Sequence, residues 1–191
     1  MRLMAAVLAL MLLAACQPAP EAGCARLPGG GQYCLQSAAG PRFETLQESR
    51  LSAGDQHHTL LTRLGNDDTG LHFAALTPLG QTVFSVSWEN GALRATLPDA
   101  LAGRIDPALF PALVQIALWP AESVRRGLSD GLELDERQNG RRIRRGEQEQ
   151  TVLNIAWEGE LPYRRLRIEI PGALVIDARA LDAAASEGKT P

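Results

Sequence analysis

The chain has 191 residues, enough for one domain with a sizeable core, and carries 19 Lys and Arg against 22 Asp and Glu, for a formal net charge of −3. This mildly acidic balance, without a basic stripe interleaved with aromatic residues, is not that of a nucleic-acid-binding protein. We find no internal repeat and expect a single domain, most simply a monomer.

The N-terminus is typical of a secretory signal. Arg2 precedes an uncharged apolar run that ends at Leu13 and is too short to span a bilayer as a helix. The next residues, Ala14-Ala15-Cys16, complete a motif that resembles the bacterial lipobox, in which the cysteine is acylated after cleavage. An ordinary signal peptide with an incidental cysteine is the alternative. Gln17 follows where an Asp would favour the inner membrane, so we expect anchoring at the periplasmic face of the outer membrane.

The remaining two cysteines lie in the chain that follows this signal. Cys24 and Cys34 are separated by a flexible Pro28–Gly31 segment, and an oxidising periplasm favours a structural disulfide between them. Their spacing is not that of a redox CxxC motif, and no histidine lies near enough to complete a metal site. We therefore divide the chain into a signal peptide (1–15), a lipidated tether (16–23), one domain (24–181) and a flexible tail (182–191).

Short β-like runs separated by turn residues begin near Thr59. The runs are Leu60–Leu64, Leu71–Leu76 and Gln81–Trp88, and the last ends at Asn90-Gly91, a strong two-residue hairpin signal. If these two residues form the loop, Trp88 lies opposite Leu93, Val86 opposite Ala95 and Phe84 opposite Leu97. Ser87 with Arg94 and Ser85 with Thr96 then share the other face. One register thus produces one apolar and one polar face, as in an antiparallel sheet that is solvated on one side.

An unusually apolar helix is predicted from Asp106 to Trp119. Asp106 is a good N-cap, Pro107 a good first residue and Pro120 a good stop, while Pro111 bends the first turn or delays the start. Between Ala108 and Trp119 the only polar side chain is that of Gln115. A surface helix has a polar face, so this helix is either covered on both sides or itself covers something apolar. A short amphipathic helix, Ala121–Arg126 with Gly127 as C-cap, follows.

The second half returns to strands. Leu132–Gln138 and Arg141–Gly146 flank Asn139-Gly140, which predicts a second hairpin with Asp135 facing Arg144. Two further runs are Thr151–Trp157 and Tyr163–Ile170, and Pro171-Gly172 turns into Ala173–Arg179. A two-residue turn there would place Leu166 opposite Asp177, so we expect a bulge or a longer loop.

Residues that could carry catalysis are few, and we expect neither an enzyme nor a metal or cofactor beyond the N-terminal acyl groups. His57-His58 lacks a spaced partner, and Ser123 and Ser129 lack a Gly-x-Ser-x-Gly frame. Four arginines, Arg141, Arg142, Arg144 and Arg145, could meet anionic head groups. Because acidic residues flank this hairpin, cross-strand charge pairing is the favoured explanation. Whether the apolar helix lids a concave cavity or fills a closed core is left open by the residues alone.

A resemblance bears on that choice. It is carried by Gly80-Gln81, Val83–Val86, Trp88, Gly91 and Leu118-Trp119-Pro120. On these residues the chain is similar to a family of uncharacterised proteobacterial outer-membrane lipoproteins, a domain of unknown function often encoded beside aryl-polyene synthesis genes. More distantly it resembles LolB, the receptor for lipoproteins carried by LolA. LolB's membrane-inserting apolar loop has no counterpart in this chain, and the pair Cys24 and Cys34 is not part of the LolB pattern.

The resemblance implies a mainly β (α+β) fold, an unclosed antiparallel half-barrel whose concave face holds a helical lid. It implies a carrier that binds and transfers an acyl, lipid or polyene cargo at the inner leaflet of the outer membrane, with a LolA-like periplasmic carrier as a further partner. A structural lipoprotein with a filled core is the alternative. The residues expected to line the cavity are Phe84, Val86 and Trp88 on the sheet and Leu113, Ile116 and Trp119 on the helix.

Overall fold

A computed structural model describes residues 23–37, 40–146 and 150–181. The predicted signal peptide (1–15), the acylation site Cys16, the tether up to residue 22 and the tail (182–191) lie outside the described residues. No helix within the described ranges is long and apolar enough to cross a membrane.

Ten strands form one antiparallel sheet that does not close into a barrel. Its spatial order is β7-β6-β5-β4-β3-β12-β11-β10-β9-β8, so β7 and β8 are the two free edges. The mainly β, unclosed half-barrel expected from the sequence is thereby confirmed, with two helices as the helical part. The strands are β3 (Phe43–Ala53), β4 (Gln56–Asn66), β5 (Leu71–Leu76), β6 (Thr82–Glu89), β7 (Ala92–Thr96), β8 (Leu132–Arg137), β9 (Gly140–Arg145), β10 (Gln150–Glu158), β11 (Arg165–Ile170) and β12 (Leu174–Ala180).

A separate two-stranded hairpin precedes the sheet. Strands β1 (Cys24–Arg26) and β2 (Gln32–Cys34) pair in antiparallel fashion with Cys24 opposite Cys34. The predicted disulfide between these two residues is confirmed. The connecting turn places Gly30 and Gly31 at φ values of +93° and +79°, a region that glycine enters without steric cost.

Strand β3 is the longest element together with β4, and the sequence did not predict it. Its inward-facing positions are Thr45, Gln47 and Ser49, which are all buried. Because these residues are polar, the strand lacks the apolar alternation by which half-buried strands are recognised. Strand β4 likewise begins earlier than predicted, so His57 and His58 are exposed strand residues.

The β6–β7 hairpin has the predicted register. Trp88 pairs with Leu93 and Val86 with Ala95, while the Ser87–Arg94 and Ser85–Thr96 pairs share the opposite face. Asn90 has φ +50° and Gly91 φ +79°, as the two loop residues of this hairpin type require.

The register predicted for the β8–β9 hairpin is wrong. The loop is Gln138-Asn139, one residue earlier than predicted, so Asp135 pairs with Arg142 instead of Arg144. Gly140 instead lies within β9, where a Cβ atom would stand 2.3 Å from the Ile155 carbonyl oxygen of the neighbouring strand. The glycine is therefore needed for close strand approach rather than for the turn. Arg144 still reaches Asp135 diagonally, with Nε 2.7 Å from Oδ2.

The expected longer loop after β11 is confirmed. Ile170 pairs with Leu174, which leaves Pro171, Gly172 and Ala173 in the turn and brings Leu166 opposite Ala178 rather than Asp177.

Helix α1 (Leu109–Leu118) begins later than predicted, and helix α2 (Ala121–Gly127) follows it directly. Asp106 is not its N-cap: its carboxylate accepts a hydrogen bond from the Ala108 N–H at 3.0 Å, within a turn that precedes the helix. Pro111 is the third helical residue, where a missing N–H costs no helical hydrogen bond. The helix ends before Pro120, as predicted.

Candidate functional site: a cavity between helix α1 and the concave face of the sheet

Helix α1 has no solvated side because it is covered on both. Toward the sheet, Phe110 stacks near Phe73 and Phe84, with ring centroids 5.2 and 4.8 Å away. On its other side lie the β1–β2 hairpin and the segment that follows it. This arrangement accounts for the single polar residue of the helix, Gln115, which is fully buried.

The Gln115 amide binds the N-terminal segment to the helix. Its Oε1 accepts hydrogen bonds from the Tyr33 hydroxyl at 3.1 Å and the Gln36 N–H at 2.8 Å, and its Nε2 donates to the Gln36 carbonyl at 3.0 Å. The Trp88 indole N–H donates to the same carbonyl at 3.2 Å. Burial raises the pKa of the Tyr33 phenol far above its ordinary value, so the hydroxyl stays a donor. Every polar group of Gln115 is thus satisfied inside the core.

The C-terminus of α1 is held by Arg141 of strand β9. The Arg141 guanidinium points inward and donates to the carbonyls of Ile116 at 2.8 Å and Trp119 at 2.6 Å. Pro120 has no N–H, so it cannot supply the helical hydrogen bond that the Ile116 carbonyl would otherwise accept. A cation at a helix C-terminus also interacts favourably with the helix dipole. Arg141 therefore fixes this end of the helix against the sheet.

A small apolar cavity remains between the helix and the concave face. Its volume is about 60 Å³, well below the ~300–1,000 Å³ of pockets that hold small molecules. At one end its wall consists of Leu51, Leu60 and Ile176, which are only half-buried, so the cavity has an apolar rim. The other lining residues are Gln47, Ser49, Thr62, Leu64, Phe73, Ala75, Phe84, Phe110, Leu113, Val114, Leu166, Ile168 and Ala178.

Three polar side chains interrupt this apolar wall. Ser49 Oγ lies 2.8 Å from Thr62 Oγ1, so these two hydroxyls satisfy each other. Gln47, which lies directly opposite Thr62 in the β3–β4 register, is only 4% exposed. Among the described residues its side-chain amide has no hydrogen-bond partner.

Residues 44–171 match the model of a family described as "Protein of unknown function (DUF3261)". The chain belongs to this family. No curated protein matches it. The matched range of the DUF3261 domain contains Gln47, the Phe73–Phe84–Phe110 cluster, α1 and Arg141, whereas the disulfide hairpin and β12 lie outside it.

The DUF3261 domain buries all six predicted cavity residues, but in two apolar clusters, and only two of the six line the cavity. Phe84 and Leu113 line the cavity. Trp88 and Trp119 lie at the other end of the concave face, where Gly23 and Gly40 of the N-terminal segment pack against their rings. The last two, Val86 and Ile116, are buried among other apolar side chains away from the cavity.

None of the remaining candidates of the sequence that the structure describes lines the cavity. His57 Nδ1 is 3.0 Å from Ser52 Oγ, and no group of three His, Cys, Asp or Glu residues able to hold a metal is found in the described ranges. Cross-strand charge pairing of the arginine-rich hairpin is confirmed for Arg144, which contacts Glu133 and Asp135. The inward role of Arg141 was missed, and the buried Gln47 was missed with its whole strand.

Proposed function

We propose that the protein is an outer-membrane lipoprotein, acylated at Cys16, that binds an acyl, lipid or polyene cargo between α1 and the concave face and transfers it at the inner leaflet. It acts without catalysis and without a metal or cofactor. The observation that carries this proposal is the apolar cavity with an apolar rim under a helix that has no polar face. Each buried cargo methylene would contribute about 0.8 kcal/mol.

Cargo binding requires the cavity to widen. At about 60 Å³ it holds a few methylene groups at most. The C-terminal half of α1 is held by Arg141 and Gln115, whereas its N-terminal end is preceded by the mostly exposed segment 97–108. We therefore place the movement at Phe110 and this segment, which together would swing away from Phe73 and Phe84.

The expected tether suits this role. Gln17–Gly23 spans at most about 25 Å when extended, so a domain anchored at Cys16 stays close to the membrane surface. A cargo that enters or leaves by the rim then travels only a short distance. A LolA-like periplasmic carrier is the partner that would deliver it.

Probe binding to the chain from Gln17 onward tests the proposal. This chain contains every described element, and its core extends only from Ala25 to Ala178. We expect native mass spectrometry to detect co-purified acyl or polyene species, and the uncharged fluorophore N-phenyl-1-naphthylamine to bind. Ala75→Val narrows the cavity, because Ala75 is fully buried on its wall. It should weaken probe binding about tenfold or more.

Ala74→Val is the matched control, because the Ala74 side chain lies on the outer face of the same strand. It should leave probe binding unchanged. A clean apo mass together with no probe binding would reject the carrier function.

The same result would favour a second candidate, a structural lipoprotein with a filled core. Two observations favour this candidate. The cavity is small, and all six residues predicted to line it are buried.

A further inference from the structure

Within the described residues, the cavity wall carries hydrogen-bonding side chains only where β3 and β4 meet, at Gln47, Ser49 and Thr62. Of the three, Ser49 and Thr62 are paired with each other at 2.8 Å. Gln47 lies directly opposite Thr62 and diagonal to Leu64 and Ala178, and its amide makes no hydrogen bond within the part of the chain that the structure describes. This amide keeps a small accessible surface. Because Gln47 is on the cavity wall, a hydrogen-bonding group of the cargo would complete this amide.

We propose that Gln47 is the recognition residue for an uncharged hydrogen-bonding group, an ester or amide carbonyl or a hydroxyl, within the chain of the cargo. The inference rests on the proposed carrier function and deepens it by naming the class of ligand. The Gln47 amide can both donate and accept, so it serves a carbonyl or a hydroxyl equally.

The absence of charge along the wall selects a neutral group. None of the residues that line the cavity is basic or acidic. A carboxylate or phosphate placed beside Gln47 would lose its hydration without gaining a counter-ion, which is strongly unfavourable. Any charged head group of the cargo must therefore stay outside the rim.

The position of Gln47 along β3 also indicates how far from the rim the polar group of the cargo would lie. Leu51, on the rim, lies four residues further along the same face of β3, about 13 Å away at the usual rise of a strand. The polar group that meets Gln47 is therefore buried well inside the rim. This arrangement fits an ester-linked or hydroxylated acyl chain rather than a free fatty acid.

Competition between three molecules that each carry a twelve-carbon chain tests the inference. N-phenyl-1-naphthylamine bound to the chain from Gln17 onward is displaced by dodecane, by methyl laurate and by laurate at about pH 8, where laurate is ionised. We expect methyl laurate to bind about fivefold tighter than dodecane, as one added hydrogen bond predicts, and laurate to bind weakest.

Gln47→Met keeps the length of the side chain but removes the amide. It should abolish the preference for methyl laurate over dodecane and leave dodecane binding unchanged. Because it replaces a mostly buried amide that makes no hydrogen bond with an apolar group, it should also raise the urea midpoint of unfolding. Gln56→Met, at an exposed position of the neighbouring strand β4, is the control and should alter neither quantity.

The outcomes separate the two proposals. If neither the fluorophore nor any of the three competitors binds, the carrier function is wrong and the inference is wrong with it. If dodecane binds but the Gln47→Met variant keeps the preference for methyl laurate, the carrier function stands and the inference is wrong. Laurate that competes as well as methyl laurate, or a lowered urea midpoint in Gln47→Met, would also overturn it.

Discussion

Replacing Arg141 with methionine removes the group that holds the C-terminus of α1 while keeping most of the apolar stem of the side chain. Two hydrogen bonds from the charged guanidinium, to the carbonyls of Ile116 and Trp119, are lost, at about 1.5–3 kcal/mol each. The ion pair with Glu136 adds less than about 1 kcal/mol, because Glu136 is nearly half exposed. We expect the free energy of unfolding to fall by about 4 kcal/mol.

Urea unfolding followed by circular dichroism measures this loss. With a slope of about 2 kcal/mol per molar urea, the midpoint should fall by about 2 M. Arg142→Met is the control, because the Arg142 side chain lies on the outer face of the same strand; it should change stability by about 0.5 kcal/mol or less. If the two variants shift the midpoint equally, Arg141 does not hold the helix end in the way described.

Three further predictions concern the N-terminal part of the chain. Replacing both Cys24 and Cys34 with alanine opens a loop closed across a sequence separation of 10 and should cost about 3 kcal/mol on the chain-entropy estimate; an unchanged urea midpoint would show that the hairpin is held by packing alone. Burial raises the pKa of the Tyr33 phenol in the folded state above its ordinary value of 10.0, so folding favours the neutral phenol. The stability that this phenol contributes is therefore complete below about pH 10 and is lost as the pH rises further. The urea midpoint should therefore drop above about pH 10, and less so in Tyr33→Phe; an equal drop in both proteins would assign the effect elsewhere. Cys16→Ala should abolish incorporation of labelled palmitate and release the protein from the membrane fraction, whereas persistent labelling would place the acyl group on another residue.

Local signals were sufficient where the residues concerned interact mainly with their sequence neighbours. Asn90-Gly91 predicted a hairpin in its correct register, because the loop conformation depends on those two residues and the faces follow from strict alternation. The same signal at Asn139-Gly140 predicted a hairpin that is present but in the wrong register. There the small volume of Gly140 is needed against Ile155 of a third strand, which no local pattern reveals.

The candidate site was predicted only in part for a related reason. Phe84 and Leu113 were expected on the cavity wall and lie there, because an apolar face of a strand and an apolar helix must meet. Gln47 was missed because a polar residue facing inward gives its strand the pattern of an exposed loop. Arg141 was missed because its partners are backbone carbonyls of a distant helix.

By itself, the sequence determined the pairing of Cys24 with Cys34, the mainly β class and the presence of an apolar helix that had to be covered, since each depends on residue type and spacing. Only the tertiary structure decided what covers that helix, a disulfide-closed hairpin on one side and a half-barrel on the other. It alone also decided that Gln47 lies on the wall of the space left between helix and sheet, because packing depends on side chains far apart in the chain.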